Sequence, residues 1–262
     1  MPRQTANAKF YKALSVLFLA ALCAPFGFAQ TPPAPQYYSV QTIRLNPGIA
    51  DEWQKFYQAE ILPVMKKAGV KQSSVWIVAQ GDVRQIFIIR PLDSLAQLDE
   101  PGALAKVLGQ EAARALNLKQ SRFFAEWQTN ITVGRPDLGI ALTPNSPLKL
   151  GVLVTEAVAP GRTADYEKWV KETTLPLTKK TNVKGVLTGK TFLGGDPNEY
   201  HVLGLIDSYA EIDKFQTIYA KAVAESKLSI SPPPGMLTRR EFLVVRYLPE
   251  LSIAPAPPKP AN

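Results

Sequence analysis

Sulfur and imidazole are nearly missing from this 262-residue chain, which has one cysteine, three methionines and one histidine. The single cysteine, Cys23, lies in an apolar stretch near the N-terminus, so nothing after it offers a thiolate, a disulfide or a sulfur-ligated metal. One histidine excludes every His-cluster metal site and most His-based triads. The HExxH, GxSxG, GxGxxG, P-loop and CxxC patterns are all absent. No cofactor is therefore expected, beyond what His201 alone could ligate. Long apolar runs are scarce as well: ALSVLFLAALCA (13–24) is too short to span a bilayer.

That run follows MPRQTANAKFYK, which carries Arg3, Lys9 and Lys12 and no acid, and it precedes Gly27-Phe28-Ala29. These are the three regions of a secretory leader, so residues 1–29 are expected to be removed and the protein to be secreted or periplasmic. A lipoprotein would acylate Cys23, but Leu22 stands where that motif needs a small residue. No stable membrane anchor is expected after cleavage. The formal charge of +8 includes three leader cations and no leader anion, which leaves +5. Lys66-Lys67 and Lys179-Lys180 suit helix C-termini, where cations complement the dipole, so nucleic acid is not an expected partner.

What is present is a repetition. LPVMKKAGVK (62–71) returns as LPLTKKTNVK (175–184), 113 positions later. The same shift pairs Pro47-Gly48 with Pro160-Gly161 and Lys55 with Lys168, giving nine identities in the 25 positions from Pro47 to Lys71. After one inserted residue, Gly81-Asp82 meets Gly195-Asp196, and DSLAQLD (93–99) meets DSYAEID (207–213). Each copy reads as a strand, a Pro-Gly turn, an amphipathic helix, two strands joined at a Gly-Asp turn, a helix after Asp-Ser, and a last strand. Pro63 and Pro176 are expected to kink the first helix or end it early.

The order βαββαβ is the ferredoxin-like split βαβ. RQIFIIR and EYHVLGLI are apolar at both parities, so each sheet needs cover on both faces, helices on one and the other copy on the other. The expected fold class is α+β: two ferredoxin-like repeats whose antiparallel sheets pack face to face as an intramolecular α+β barrel. The expected segments are a Pro-rich linker (30–36), repeat one (37–134), a connector (135–147), repeat two (148–249) and a disordered Pro-rich tail (250–262).

A Pro-Gly after strand one, an aromatic-bearing helix ending in Leu-Pro and Lys, then Gly-Asp-x-Asn, an apolar strand and Asp-Ser together resemble the NIPSNAP-like branch of the dimeric α+β barrel superfamily. GGDPNEYHVLGLIDS (194–208) carries the likeness furthest. Members often place His and Trp at alternate positions of the third strand; Val202 and Gly204, or Ile88 and Arg90, stand there in this chain. The resemblance implies a superfamily that includes cofactor-free monooxygenases and haem-handling relatives of chlorite dismutase.

Polar residues inside apolar strands are the candidate site. His201 reads as an axial haem ligand or general base, or else as a hydrogen-bonded core histidine. Glu156, Lys190 and Arg90 must be paired, at strand ends or site-lining, because buried charge is costly alone. Trp76 and Trp127 suit either a pocket wall or the core. By the repeat, Glu156 replaces Ile43 and His201 replaces Phe87. The expected ligand-binding set is His201, Glu156, Lys190, Arg90 and Trp76, with Glu156 hydrogen-bonded to His201 and facing the space between the copies. The expected function is an exported barrel that binds a small apolar or aromatic molecule, or a protein partner, in the cell envelope. The alternatives are a cofactor-independent monooxygenase or isomerase acting inside the barrel, and a haem-binding protein using His201. Whether it is an enzyme stays open, and a homodimer is compatible with each reading.

Overall fold

The computed structural model describes residues 35–143, 147–226 and 231–254. The expected leader and the last residues of the tail lie outside them. Eight strands are formed: β1 (Tyr37–Leu45), β2 (Ser74–Gln80), β3 (Gln85–Leu92), β4 (Phe124–Gly134), β5 (Leu150–Val158), β6 (Gly185–Leu193), β7 (Glu199–Ile206) and β8 (Leu237–Tyr247). They close into one antiparallel barrel in the order β1-β3-β2-β8-β5-β7-β6-β4.

The first four strands lie together as β4-β1-β3-β2 and the last four as β8-β5-β7-β6. The expected α+β barrel is formed, and its two groups of strands are also joined edge to edge, which face-to-face packing alone did not anticipate. Trp76 pairs with Tyr247 where β2 meets β8, and Gly134 pairs with Gly189 where β4 meets β6. Closure consumes all four open edges, which would otherwise present unpaired N–H and C=O groups. Gly189 permits the second seam, because a Cβ there would sit 2.5 Å from a Thr132 methyl.

Among the described residues, five α-helical stretches lie on the outside. Helix α1 runs Ala50–Phe56, widens into a π-turn at Tyr57–Ile61 and continues as Leu62–Lys67. Helices α2 (Ala103–Leu108) and α3 (Gln110–Ser121) follow, separated by Gly109 at φ 81°. Helix α4 repeats the pattern of α1: Thr163–Trp169, a π-turn at Val170–Thr174, then Leu175–Thr178. Helix α5 spans Tyr209–Ser226 without a break. Neither proline ends its helix. In the π-turns the N–H of Leu62 reaches back five residues to Tyr57 O, and that of Leu175 to Val170 O. The wider turn absorbs a residue that has no N–H and whose ring would clash in a regular turn.

Strand parity divides the core. Ile43, Ile86 and Ile88 point outward against Trp53, Tyr57 and Ile61 of α1. Trp76 and Val78 point inward and pack with Leu203, Leu205, Leu243 and Val245 of the second half. Each such fully buried side chain contributes about 1.5–3 kcal/mol. The tail departs from expectation, since Glu250–Ile253 are ordered: Leu251 is buried, Ser252 Oγ accepts from Val75 N at 3.0 Å, and Ile253 pairs with Ser73.

Candidate functional site

Beneath α4 and α5 the outer face of the second half is not filled. A cavity of about 410 Å³ remains, walled by Val152 and Val154 of β5, Val202 of β7, Trp169 and Val170 of α4 and Phe215 of α5. Thr174 and Thr178 also line it, but their hydroxyls donate to the carbonyls of Val170 and Thr174 at 3.2 and 2.8 Å, so they add little polarity. The π-turn thus shapes the wall, and Val170 O accepts from both Leu175 N and Thr174 Oγ1.

One end of this apolar space is charged. Glu156 of β5 is only 4% exposed. Tyr166 of α4 donates to its Oε2 at 2.5 Å. Arg240 of β8 places Nε 2.8 Å from Oε1, an ion pair whose angle leaves Oε1 without a directed hydrogen bond. Burial, then the adjacent Glu156 carboxylate, pushes the Tyr166 phenol far above its ordinary value, so it stays protonated and serves as a fixed donor. Its ring packs on Tyr200, with centroids 4.5 Å apart. The Tyr200 hydroxyl donates to Glu167 at 2.6 Å, and Arg135 pairs with both Glu167 and Asp137. This chain ties the segment after β4 to α4 and fixes the helix that carries Tyr166. Glu156 thus stands at the cavity wall with Oε2 accepting from Tyr166 and Oε1 against the Arg240 guanidinium, a buried carboxylate whose charge is compensated on both oxygens.

The sequence-predicted residues do not assemble. Glu156 is paired in register with Tyr200 and His201 with Thr155, so Glu156 and His201 point to opposite faces of the sheet. The expected Glu156–His201 hydrogen bond is therefore not formed; adjacent register positions must alternate between faces. His201 faces the barrel interior, with Nε2 3.0 Å from Thr191 Oγ1 and 3.3 Å from Glu199 Oε1, and Nδ1 3.5 Å from Thr155 Oγ1. Burial, then Arg239, lowers its pKa to about 4. An axial haem role does not fit: both ring nitrogens face protein groups, and the cavities lie on the other side of the barrel wall. The cavity beneath α4 and α5 lies on the outer side of the barrel wall, opposite His201.

Lys190 sits over the Tyr200 ring at 5.3 Å, beside the Glu167 network. Trp76 is buried in the barrel interior on Tyr247, with centroids 5.1 Å apart. Arg90 belongs to a second cavity, of about 750 Å³, beneath α1, α2 and α3. Trp127 lines that same cavity.

Tyr166 and Arg240, which complete the Glu156 cluster, were not singled out in the sequence. A signal was available. The 113-residue shift that sets Glu156 against Ile43 also sets Tyr166 against Trp53 and Arg240 against Trp127. Reading the shift through the helix and the last strand, and not only through strands one to three, identifies all three.

No protein-family model matches the chain, and no curated protein matches it. Solved structures do. An anthrone oxidase-like protein is similar over 81% of this chain and 91% of its own, at TM-score 0.56 and 10% identity. A candidate monooxygenase from Fusobacterium nucleatum covers 82% and 94% at TM-score 0.54 and 11% identity, and one from Lactobacillus acidophilus 81% and 94% at 0.52 and 10%. At such identities the likeness concerns the fold alone: a mixed α+β protein with an eight-stranded antiparallel closed barrel. A NIPSNAP family protein from Agrobacterium tumefaciens is matched over 43% of this chain at TM-score 0.33, too low to carry an argument.

Proposed function

We propose that the protein binds a small, flat, largely apolar molecule bearing one acidic hydroxyl or C–H group in the cavity of the second half, with that group against Glu156. The observation that carries this is the buried Glu156 carboxylate, held by Tyr166 and Arg240 at the end of an otherwise apolar space. A volume of about 410 Å³ is in the range of small-molecule sites. We also read the chain as a fused pair of ferredoxin-like units of the NIPSNAP-like branch, exported behind a cleaved leader. The 113-residue repeat, the matched π-turns and the leader pattern support that reading.

The fold neighbours favour a catalytic form of the same reading: cofactor-independent oxygenation. Glu156 would take the proton of an acidic methylene, the resulting carbanion would give its electrons to dioxygen, and the peroxide would collapse to a carbonyl and water. Atoms and electrons balance without a further reductant.

The chain from Gln30 tests both forms. Titration with 2-naphthol, followed by the emission of Trp169, should saturate, and Glu156→Leu should weaken it about tenfold or more, the worth of a hydrogen bond to a charged group. With anthrone in an oxygen electrode, Glu156→Gln should slow uptake by about 100-fold or more. Unchanged naphthol binding in Glu156→Leu would remove the site; absence of uptake with intact binding would remove only the catalysis.

A further inference from the structure

In the first-half cavity Arg90 of β3 has no carboxylate within ion-pair distance among the described residues. It stands on the floor, and its Nη2 donates to Gln41 Oε1 at 2.9 Å. Its Nε is buried without a partner. Tyr57 contributes a neutral hydroxyl nearby. Glu111 and Arg114 of α3 also face the cavity, both from exposed positions, and their charges offset one another. The walls close to Arg90 are apolar, formed by Ile43, Ile61, Met65, Ile88 and Leu104.

A guanidinium offers five donors in a planar fork matched to a carboxylate, and a half-buried one without an anion bears an uncompensated desolvation cost. Position 90 is also where the two halves part: the residue 114 positions later is Gly204, so the second half has no cation there. The cover over Arg90 is interrupted at Pro101-Gly102 and at Gly109, whose positive φ separates α2 from α3, which leaves a space of about 750 Å³.

We infer that this cavity is a second binding site, for a monocarboxylate with an apolar body, whose carboxylate pairs with Arg90 while its body lies along Ile61, Met65 and Leu104. The site is independent of the one at Glu156. It takes an anion, whereas the second-half site takes a neutral molecule.

Decanoate and decanol, identical but for the head group, test the assignment by calorimetry on the chain from Gln30. Decanoate should bind one per chain and at least tenfold more tightly than decanol, and saturating 2-naphthol should leave its affinity within twofold. Arg90→Gln should reduce decanoate to the level of decanol without changing decanol. Should Arg90→Gln fail to fold, Leu104→Trp fills the cavity and leaves the cation in place; it should cut decanoate affinity tenfold or more. Equal affinities for acid and alcohol, or decanoate binding unchanged in Arg90→Gln or in Leu104→Trp, would overturn the site.

Discussion

Beneath α1 the first half of the barrel packs Ile43 against Trp53, with Trp127 at the cavity edge; beneath α4 the second half carries Glu156, Tyr166 and Arg240 at the positions 113 residues on. Ile43 and Glu156 are both almost fully buried, at 2% and 4% exposure, so the exchange trades hydrophobic burial for a hydrogen-bonded charge at one location. The cover differs as well. Helix α5 is continuous over Tyr209–Ser226, while its counterpart is cut into α2 and α3 at Gly109. One scaffold thus carries two cavities: a smaller one ending in a carboxylate and a larger one floored by an arginine. Glu156 and Arg90 each break the apolar pattern in one half only.

The largest effect should come from separating the halves. Residues 37–134 alone would expose the β2 and β4 edges and the inward faces of Trp76, Phe87 and Ile89. At about 1.5–3 kcal/mol per side chain, this loss approaches the 5–15 kcal/mol that typically holds a whole domain together. Sedimentation velocity should find the fragment insoluble or dimeric; a folded monomer would contradict the shared core.

Next in size is conversion of one half to the other. Tyr166→Phe alone leaves Glu156 short of a donor and should cost about 1–3 kcal/mol in urea unfolding. The triple change Glu156→Ile, Tyr166→Trp, Arg240→Trp removes charge and partners together. It should be neutral or stabilising by about 1–4 kcal/mol, with 2-naphthol binding lost. A triple variant less stable than Tyr166→Phe would show that the cluster serves the fold and not a ligand.

The smallest of these effects concerns pH. His201 has a folded pKa of about 4 against an ordinary 6.5, so between those values the unfolded chain binds more protons. Stability from this group is complete above pH 6.5, falls as pH drops toward 4, and changes no further below. About a quarter of the side chain is exposed, so the loss should be roughly 2 kcal/mol. Glu199 beside it has a pKa raised by burial and contributes in the opposite sense, and Arg239 pairs with Glu199. The difference between wild type and His201→Gln isolates the histidine: urea midpoints at pH 7 and pH 4.5 should differ less in the variant. An equal difference would place the acid sensitivity elsewhere.

Much of the scaffold was legible because it rests on local chemistry. Pro-Gly turns, Gly-Asp hairpins and strands apolar at both parities announce eight strands and outer helices. The barrel was legible from the need to cover both faces of each sheet, but its closure was not, since a sequence shows which faces are apolar and not which edges will pair. The π-turns were hidden behind Pro63 and Pro176, whose ordinary effect is to end a helix. At the site, repeat-matched exchange singled out Glu156 and His201 but set them on the same face, which the register does not allow. The register of β5 on β7 decides which face each residue takes, and a one-residue slip turns every side chain over. Lys190 lies over the Tyr200 ring and Trp76 packs on Tyr247, apart from Glu156 and from each other.

The most direct test is a crystal structure of the chain from Gln30 soaked with 2-naphthol. The account predicts the ring between Val154, Val202 and Phe215 in the second half, with its hydroxyl within hydrogen-bond reach of Glu156. A ring seated in the barrel interior or beneath α1, or a hydroxyl turned away from Glu156, would contradict it.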